Sequence, residues 1–211
     1  EANSEAGGAP GSGQQSYYAR TLDKSLSGND VRHRWMSSAV YQLPVGRGRR
    51  FAPGNRVLDG VAGGWGLGAI VEFRSGLPYG VVENSNRLNA FSASQRSNLI
   101  GDPVLSPDRP RSELIQSWFN TAAFAVPGDG RLGNAARNVA TGRGLASVDL
   151  SMLKDFPFSE RRYLQLRGEF FNAFNRPNFG LPNTSRGAPA FGTISSAGSG
   201  RIVQIGLRLI Y

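Results

Sequence analysis

Cysteine is absent from this chain, which removes any disulfide framework, any thiolate metal site and any cysteine nucleophile. Lysine is almost absent, with only Lys24 and Lys154, and His33 is the single histidine. No run of 18 or more apolar residues occurs, so the chain contains no helical membrane span. That absence does not exclude membrane strands, because the lipid-facing residues of a barrel strand alternate with polar ones. The opening stretch, Glu1 to Gln15, is small and polar, without the basic and apolar regions of a signal peptide, and the first residue is not Met. It reads as part of a processed chain or a fragment.

Motifs for chemistry are equally scarce. His33 has no Gly-x-Ser-x-Gly elbow to serve and too few companions for zinc, so its expected role is structural hydrogen bonding. There is no phosphate-binding loop, and Gly63-Gly-Trp-Gly-Leu-Gly68 has the wrong spacing for a dinucleotide site. The expectation is a protein that is not an enzyme, with no catalytic, cofactor-binding or metal-ligating residue to name. The Asn183-Thr-Ser185 sequon is short enough to arise by chance.

What the chain does have is arginine, glycine and alternation. The net charge is +9, yet no basic cluster is longer than Arg47-Gly-Arg49-Arg50. Scattered arginine fits polar loops and a polar strand face better than a nucleic-acid interface. An Arg-rich nucleic-acid binder stays a minor reading, and it would show tight, salt-dependent binding. The 28 glycines and 12 prolines indicate many turns and long loops, hence an all-β chain and not a helical bundle.

Five segments alternate with a period of two. Arg201 to Tyr211 sets Val203, Ile205, Leu207, Leu209 and Tyr211 against Gln204, Gly206 and Arg208. Gly64 to Ser75 sets Trp65, Leu67, Ala69, Val71 and Phe73 against glycines, Glu72 and Arg74. Arg32 to Pro44, Ser147 to Phe158 and Arg162 to Asn175 repeat the pattern, the last with Leu164, Leu166, Phe170 and Phe174 on one side. Tyr17 to Leu26 reads as a short strand end, 45–62 as a turn region, and Arg111 to Phe119 as a short helix inside a long irregular stretch. Strands of about 9–11 residues, oily on one side, suit a transmembrane β-barrel. Ser159-Glu160-Arg161 would be a short turn on the periplasmic side, with long external loops at 84–145 and 176–200 and a flexible segment or external loop at 1–29. The barrel segment itself is 30–211. Five or six strands cannot close a barrel, since the smallest use about 8, so the fold expected is an antiparallel meander from a larger barrel.

The ordered series Asp30-Val-Arg-His-Arg-Trp35, Gly63-Gly-Trp-Gly-Leu67, Arg74-Ser-Gly-Leu-Pro78, Trp118-Phe-Asn-Thr-Ala-Ala-Phe124, Val148-Asp-Leu-Ser-Met-Leu-Lys-Asp-Phe156 and Arg167-Gly-Glu-Phe-Phe-Asn-Ala-Phe-Asn-Arg-Pro-Asn-Phe179 resembles the C-terminal end of TonB-dependent outer-membrane receptors, the Oar-like group in particular. The resemblance implies a roughly 22-stranded barrel with an N-terminal plug, located in the outer membrane of a Gram-negative bacterium. It also implies import or binding of an unidentified ligand, energy relayed by TonB, and contact with outer-membrane lipid. A terminal strand ending at Tyr211 would be read by the barrel-assembly machinery.

Two residue sets follow. Glu72, Arg74, Asp149, Arg167 and Glu169 are the lumen-facing candidates, expected as a charge network in the barrel wall more than as a substrate path. Trp65, Phe73, Phe170, Leu207 and Tyr211 are the membrane-facing and assembly candidates. The alternative is a soluble or cell-surface β-sandwich adhesion module, in which the oily faces would meet as a core and the domain would unfold cooperatively without detergent.

Overall fold

The computed structural model describes residues 15–16, 18–46, 48–52, 54–85, 87–88, 95–159 and 162–211. It separates into two compact units.

The first unit comprises Arg34–Arg74, Leu145–Asn178 and Ser199–Tyr211. It is one sheet of five strands: β1 (Arg34–Gln42), β2 (Trp65–Arg74), β3 (Leu145–Pro157), β4 (Tyr163–Phe171) and β5 (Ile202–Ile210). Spatial order equals chain order and every neighbouring pair is antiparallel. The five alternating segments of the sequence therefore become five adjacent strands of an up-and-down meander, with β1 and β5 as open edges.

Two sequence expectations change here. Phe174 is not on β4: the strand stops at Phe171, and Asn172 and Asn175 adopt positive φ (49° and 50°). Asn is one of the few side chains that tolerate this region, and the Asn172 carboxamide donates to the carbonyls of Arg176 and Ser199, fixing a turn. The stretch 45–62, read as a turn, contains helix α1 (Arg56–Ala62). The Asn55 side chain accepts a hydrogen bond from the Val57 N–H (2.8 Å) and caps it. The helix ends where Gly63 donates back to the Asp59 carbonyl and Gly64 takes a left-handed φ of 73°. Between β3 and β4, Phe158 and Ser159 both donate to the Arg162 carbonyl. Glu160 and Arg161 of the expected turn Ser159–Arg161 lie outside the described residues.

The second unit comprises residues of 1–33, 75–144 and 179–198. Its long irregular stretch, 84–145 in the sequence reading, is closed by two-residue ladders: Pro78–Tyr79 with Ala140–Thr141, Asn98–Leu99 with Phe124–Ala125, and Val82–Glu83 with Ser185–Arg186. Helix α2 (Arg111–Gln116) falls within the helix expected at Arg111 to Phe119. An apolar core of Tyr79, Val81, Phe119, Ala123 and Phe124 holds the ladders together. Phe119 meets Phe124 and Phe191 edge to face at 5.6 and 5.2 Å, the arrangement ring quadrupoles favour.

Beside this core lies a buried polar cluster. The Arg96 guanidinium, with its side chain 1% exposed, pairs with Asp23 at 2.8 Å. Gln15 accepts from the Arg96 N–H (2.7 Å) and donates to the Gly133 carbonyl (3.0 Å). Burial lowers the pKa of Arg96, with Asp23 opposing, and burial raises that of Tyr79. The segment 1–29, expected as a flexible tail or external loop, lies outside the described residues through residue 14 and at 17. From Gln15 it supplies the partners just named. A 3-10 turn at Arg20–Asp23 stands where the sequence suggests a strand end, and it positions the Asp23 carboxylate.

Gly133 belongs to the same cluster. A Cβ there would collide with the Arg96 carbonyl and lie 2.7 Å from that of Ser97, both of them backbone atoms with little freedom to yield. Gly133→Ala is expected to destabilise this unit by about 1–3 kcal/mol, checked by hydrogen exchange of the Ser97 and Ala135 amides.

Candidate functional site: the two faces of the sheet

Residues paired across a ladder share a face, so the register assigns each strand residue to one side. One face carries Trp35, Ala39 and Tyr41 of β1, then Trp65, Leu67, Ala69, Val71 and Phe73 of β2. It continues through Val148, Leu150, Met152 and Phe156 of β3, Leu164, Leu166 and Phe170 of β4, and Val203, Ile205, Leu207 and Leu209 of β5. Within the strands only Ser37 and Lys154 interrupt it as polar residues.

The aromatics on this face are not spread evenly. Tyr41, Trp65 and Phe156 lie at one set of strand ends, and Trp35, Phe73 and Phe170 at the other. Trp35 and Phe73 stack with centroids 5.6 Å apart. Between the two rows are aliphatic residues, alanines, Gly168 and Ser37. A band of small and aliphatic side chains bounded by two rows of aromatics is the outward surface of a membrane barrel. Among the described residues the face does not close into a dry interior, since Phe73 is 44% and Leu207 69% exposed.

Lys154 is the exception that the sequence reading passed over. It has the parity of Val148, Leu150 and Met152 in a run of apolar residues, which is the signal that marks it. Paired with Trp65, it lies 5.2 Å from that ring and 4.9 Å from Phe156, and its Nζ donates to the Gly63 carbonyl at the end of α1. The stem thus lies among aromatics while the ammonium reaches a polar backbone group at the strand ends.

The opposite face holds every other charge of the strands: Arg34, Glu72, Arg74, Asp149, Asp155, Arg167, Glu169 and Arg208. Arg34 bonds Glu72 across β1 and β2 (3.0 Å), Arg167 pairs with Glu169 along β4, and Gln165 donates to Asp155 (2.9 Å). Asp149 accepts from the Ser147 hydroxyl (3.3 Å) and the Asn172 N–H (2.8 Å), tying the face to the turn after β4. These bonds are local, and like charges also meet on this face, with Arg34 directly opposite Arg74. Gly66 and Gly68 leave this face of β2 thin.

The structure thus brings Glu72, Arg74, Asp149, Arg167 and Glu169 onto one face, and Trp65, Phe73, Phe170 and Leu207 onto the other. Tyr211 follows the last paired residue, Ile210, and is exposed. His33 flanks β1, where its N–H donates to the Ser75 hydroxyl (3.1 Å) and its carbonyl accepts from the Ser75 N–H. Among the described residues no group of three His, Cys, Asp or Glu side chains is placed to hold a metal.

An antiparallel meander with one banded apolar face and one charged face defines a wall segment of a membrane β-barrel. The chain belongs to the outer membrane beta barrel domain family, whose model matches residues 1–204. Its location is accordingly the bacterial outer membrane, with lipid around the barrel. No curated protein and no solved structure matches the chain.

Proposed function

We propose that this protein is part of the wall of a TonB-dependent receptor of the Oar-like group, a barrel that binds or imports a ligand and catalyses no reaction. The aliphatic band meets hydrocarbon, and the two aromatic rows sit at the two interfaces. The charged face lines a lumen, where Glu72, Arg74, Asp149, Arg167 and Glu169 brace the wall against a plug. The observation that supports this reading best is the division of charge: apart from Lys154, every strand charge falls on one face. A soluble sheet that buried its apolar face against a second sheet would have no need of two aromatic rows separated by aliphatic residues. The subgroup and the TonB connection rest on the ordered motifs from Asp30 to Phe179.

The chain has no native cysteine, so once any cysteine elsewhere in the full-length protein is replaced by serine, single cysteines can be labelled along β5. With the full-length protein in lipid vesicles, fluorophores at Ile205→Cys and Leu207→Cys are expected to be quenched by brominated lipid. Those at Gln204→Cys and Arg208→Cys should be quenched by aqueous iodide. Shielding of 205 and 207 from both quenchers would mean a protein core and would overturn the lipid-facing assignment. In cells, photo-cross-linking of the full-length protein to TonB tests the energy-coupling half, and its absence would reduce the proposal to a passive barrel.

A further inference from the structure

Helix α1 is built inside out for a soluble protein. Val57, Leu58 and Val61 form one stripe, at i, i+1 and i+4, and all three are exposed (72%, 58% and 66%). Asp59 of the helix points the other way, toward the backbone of Gly46 and Gly63, where a Cβ on either glycine would lie 3.6 and 3.1 Å from the carboxylate. Short helices draw most of their stability from burying an apolar stripe, and this one leaves its stripe uncovered among the described residues of its unit.

The helix is fastened to the apolar face of the sheet. The Trp65 indole N–H donates to the Val61 carbonyl (2.9 Å), and Lys154 donates to the Gly63 carbonyl. Both side chains belong to the aromatic row at this end of the strands. The exposed stripe is therefore continuous with the surface assigned above to lipid. The adjoining turn adds a second property: Arg49 and Arg50 are exposed, and Arg50 lies over the exposed Phe51 ring at 5.6 Å. In sequence, 43–64 holds four arginines and one acidic residue, Asp59. Apolar side chains beside the exposed Arg49 and Arg50 match a phospholipid surface at the boundary between acyl chains and anionic headgroups.

We propose that the turn at Arg49–Phe51 and helix α1 form an interfacial anchor: Val57, Leu58, Val61 and Phe51 enter the leaflet at this end of the barrel, while Arg49 and Arg50 bind lipid phosphate. Lys154 and Trp65 hold α1 at the depth of the aromatic row. This assignment rests on the lipid-facing reading of the sheet, and the test separates the two.

The full-length protein is reconstituted in phosphatidylcholine vesicles with and without phosphatidylglycerol, carrying a fluorophore at Val57→Cys, Leu58→Cys or Val61→Cys, with Ile205→Cys as reference. Labels on α1 are expected to be quenched by lipids brominated near the headgroup more than by lipids brominated deep in the chain. The Ile205 label should show the reverse order. Quenching of α1 labels by aqueous iodide alone, with Ile205 still quenched by lipid, overturns the anchor and leaves the barrel wall intact. Loss of lipid quenching at Ile205 overturns the reading beneath it. Arg49→Gln and Arg50→Gln should each shift α1 out of the lipid about fivefold in phosphatidylglycerol vesicles and leave pure phosphatidylcholine unaffected. Equal behaviour of wild type and both variants in the two lipids would remove the headgroup contact.

Discussion

Asp23→Ala is expected to destabilise the aromatic-core unit by about 3–5 kcal/mol, the cost of leaving a buried charge without its partner. Asp23 pairs with Nη2 of Arg96, whose side chain is 1% exposed, and among the described residues Nε and Nη1 of that guanidinium have no hydrogen-bond partner. The neighbouring Arg137 adds like charge and burial already disfavours the guanidinium, so removing the carboxylate leaves nothing to offset either. The variant should show the loss as a fall in protection of the Ser97 and Ala135 amides of about a hundredfold or more in native-state hydrogen exchange. Asp23→Ala combined with Arg96→Met should recover most of it, because an apolar side chain of similar length needs no counter-charge. A change below about 1 kcal/mol in the single variant would place the pair with exposed ion pairs, which contribute little.

The same cluster shows where reading the sequence stops. The five strands are legible because each is decided locally: a surface with lipid-like and water-like sides imposes a period of two, and five segments carry it. The observed strands lie within the expected segments or, for β3, begin two residues earlier, at Leu145. Parity also assigns the faces of Glu72, Arg74, Asp149, Arg167 and Glu169 without coordinates, and would have exposed Lys154 as the one charge out of place.

Tyr79, Phe119, Phe124 and Phe191 are different. They are scattered aromatics in irregular stretches without alternation, and they meet through long-range closure that no local period encodes. Arg96 reads as one more loop arginine until Asp23 and Gln15 are brought to it. Helix α1 is missed for another reason: it has seven residues with Gly60 inside, and its neighbours are glycine and arginine, so turn composition outweighs a weak helical stripe. Phe174 keeps strand parity while two asparagines have already turned the backbone, and alternation alone does not show where pairing ends.

Ile205→Arg should cost about 2–4 kcal/mol when the full-length protein is unfolded from vesicles by denaturant, whereas Val203→Arg should cost about 0–1 kcal/mol. Ile205 pairs with Gly168 in the aliphatic band, and Val203 pairs with Phe170 in an aromatic row, so the two differ in depth and not in face. An arginine at the interface reaches headgroups, but one in the band must draw water and phosphate inward. Gln204→Arg is the control on the charged face: it lies directly opposite Glu169, so the new charge meets an opposite one, and the substitution should change stability by less than about 1 kcal/mol. A core shared with a second sheet would also resist Ile205→Arg, so cost alone does not separate the readings. Lipid thickness does. In short-chain vesicles the Ile205 arginine lies nearer the headgroups and its cost should fall, while a protein core is indifferent to the chain length of the surrounding lipid. A penalty at Ile205 that stays constant across bilayers of different thickness would place the apolar face against protein, and with it would fall the assignment of the aromatic rows to the two interfaces.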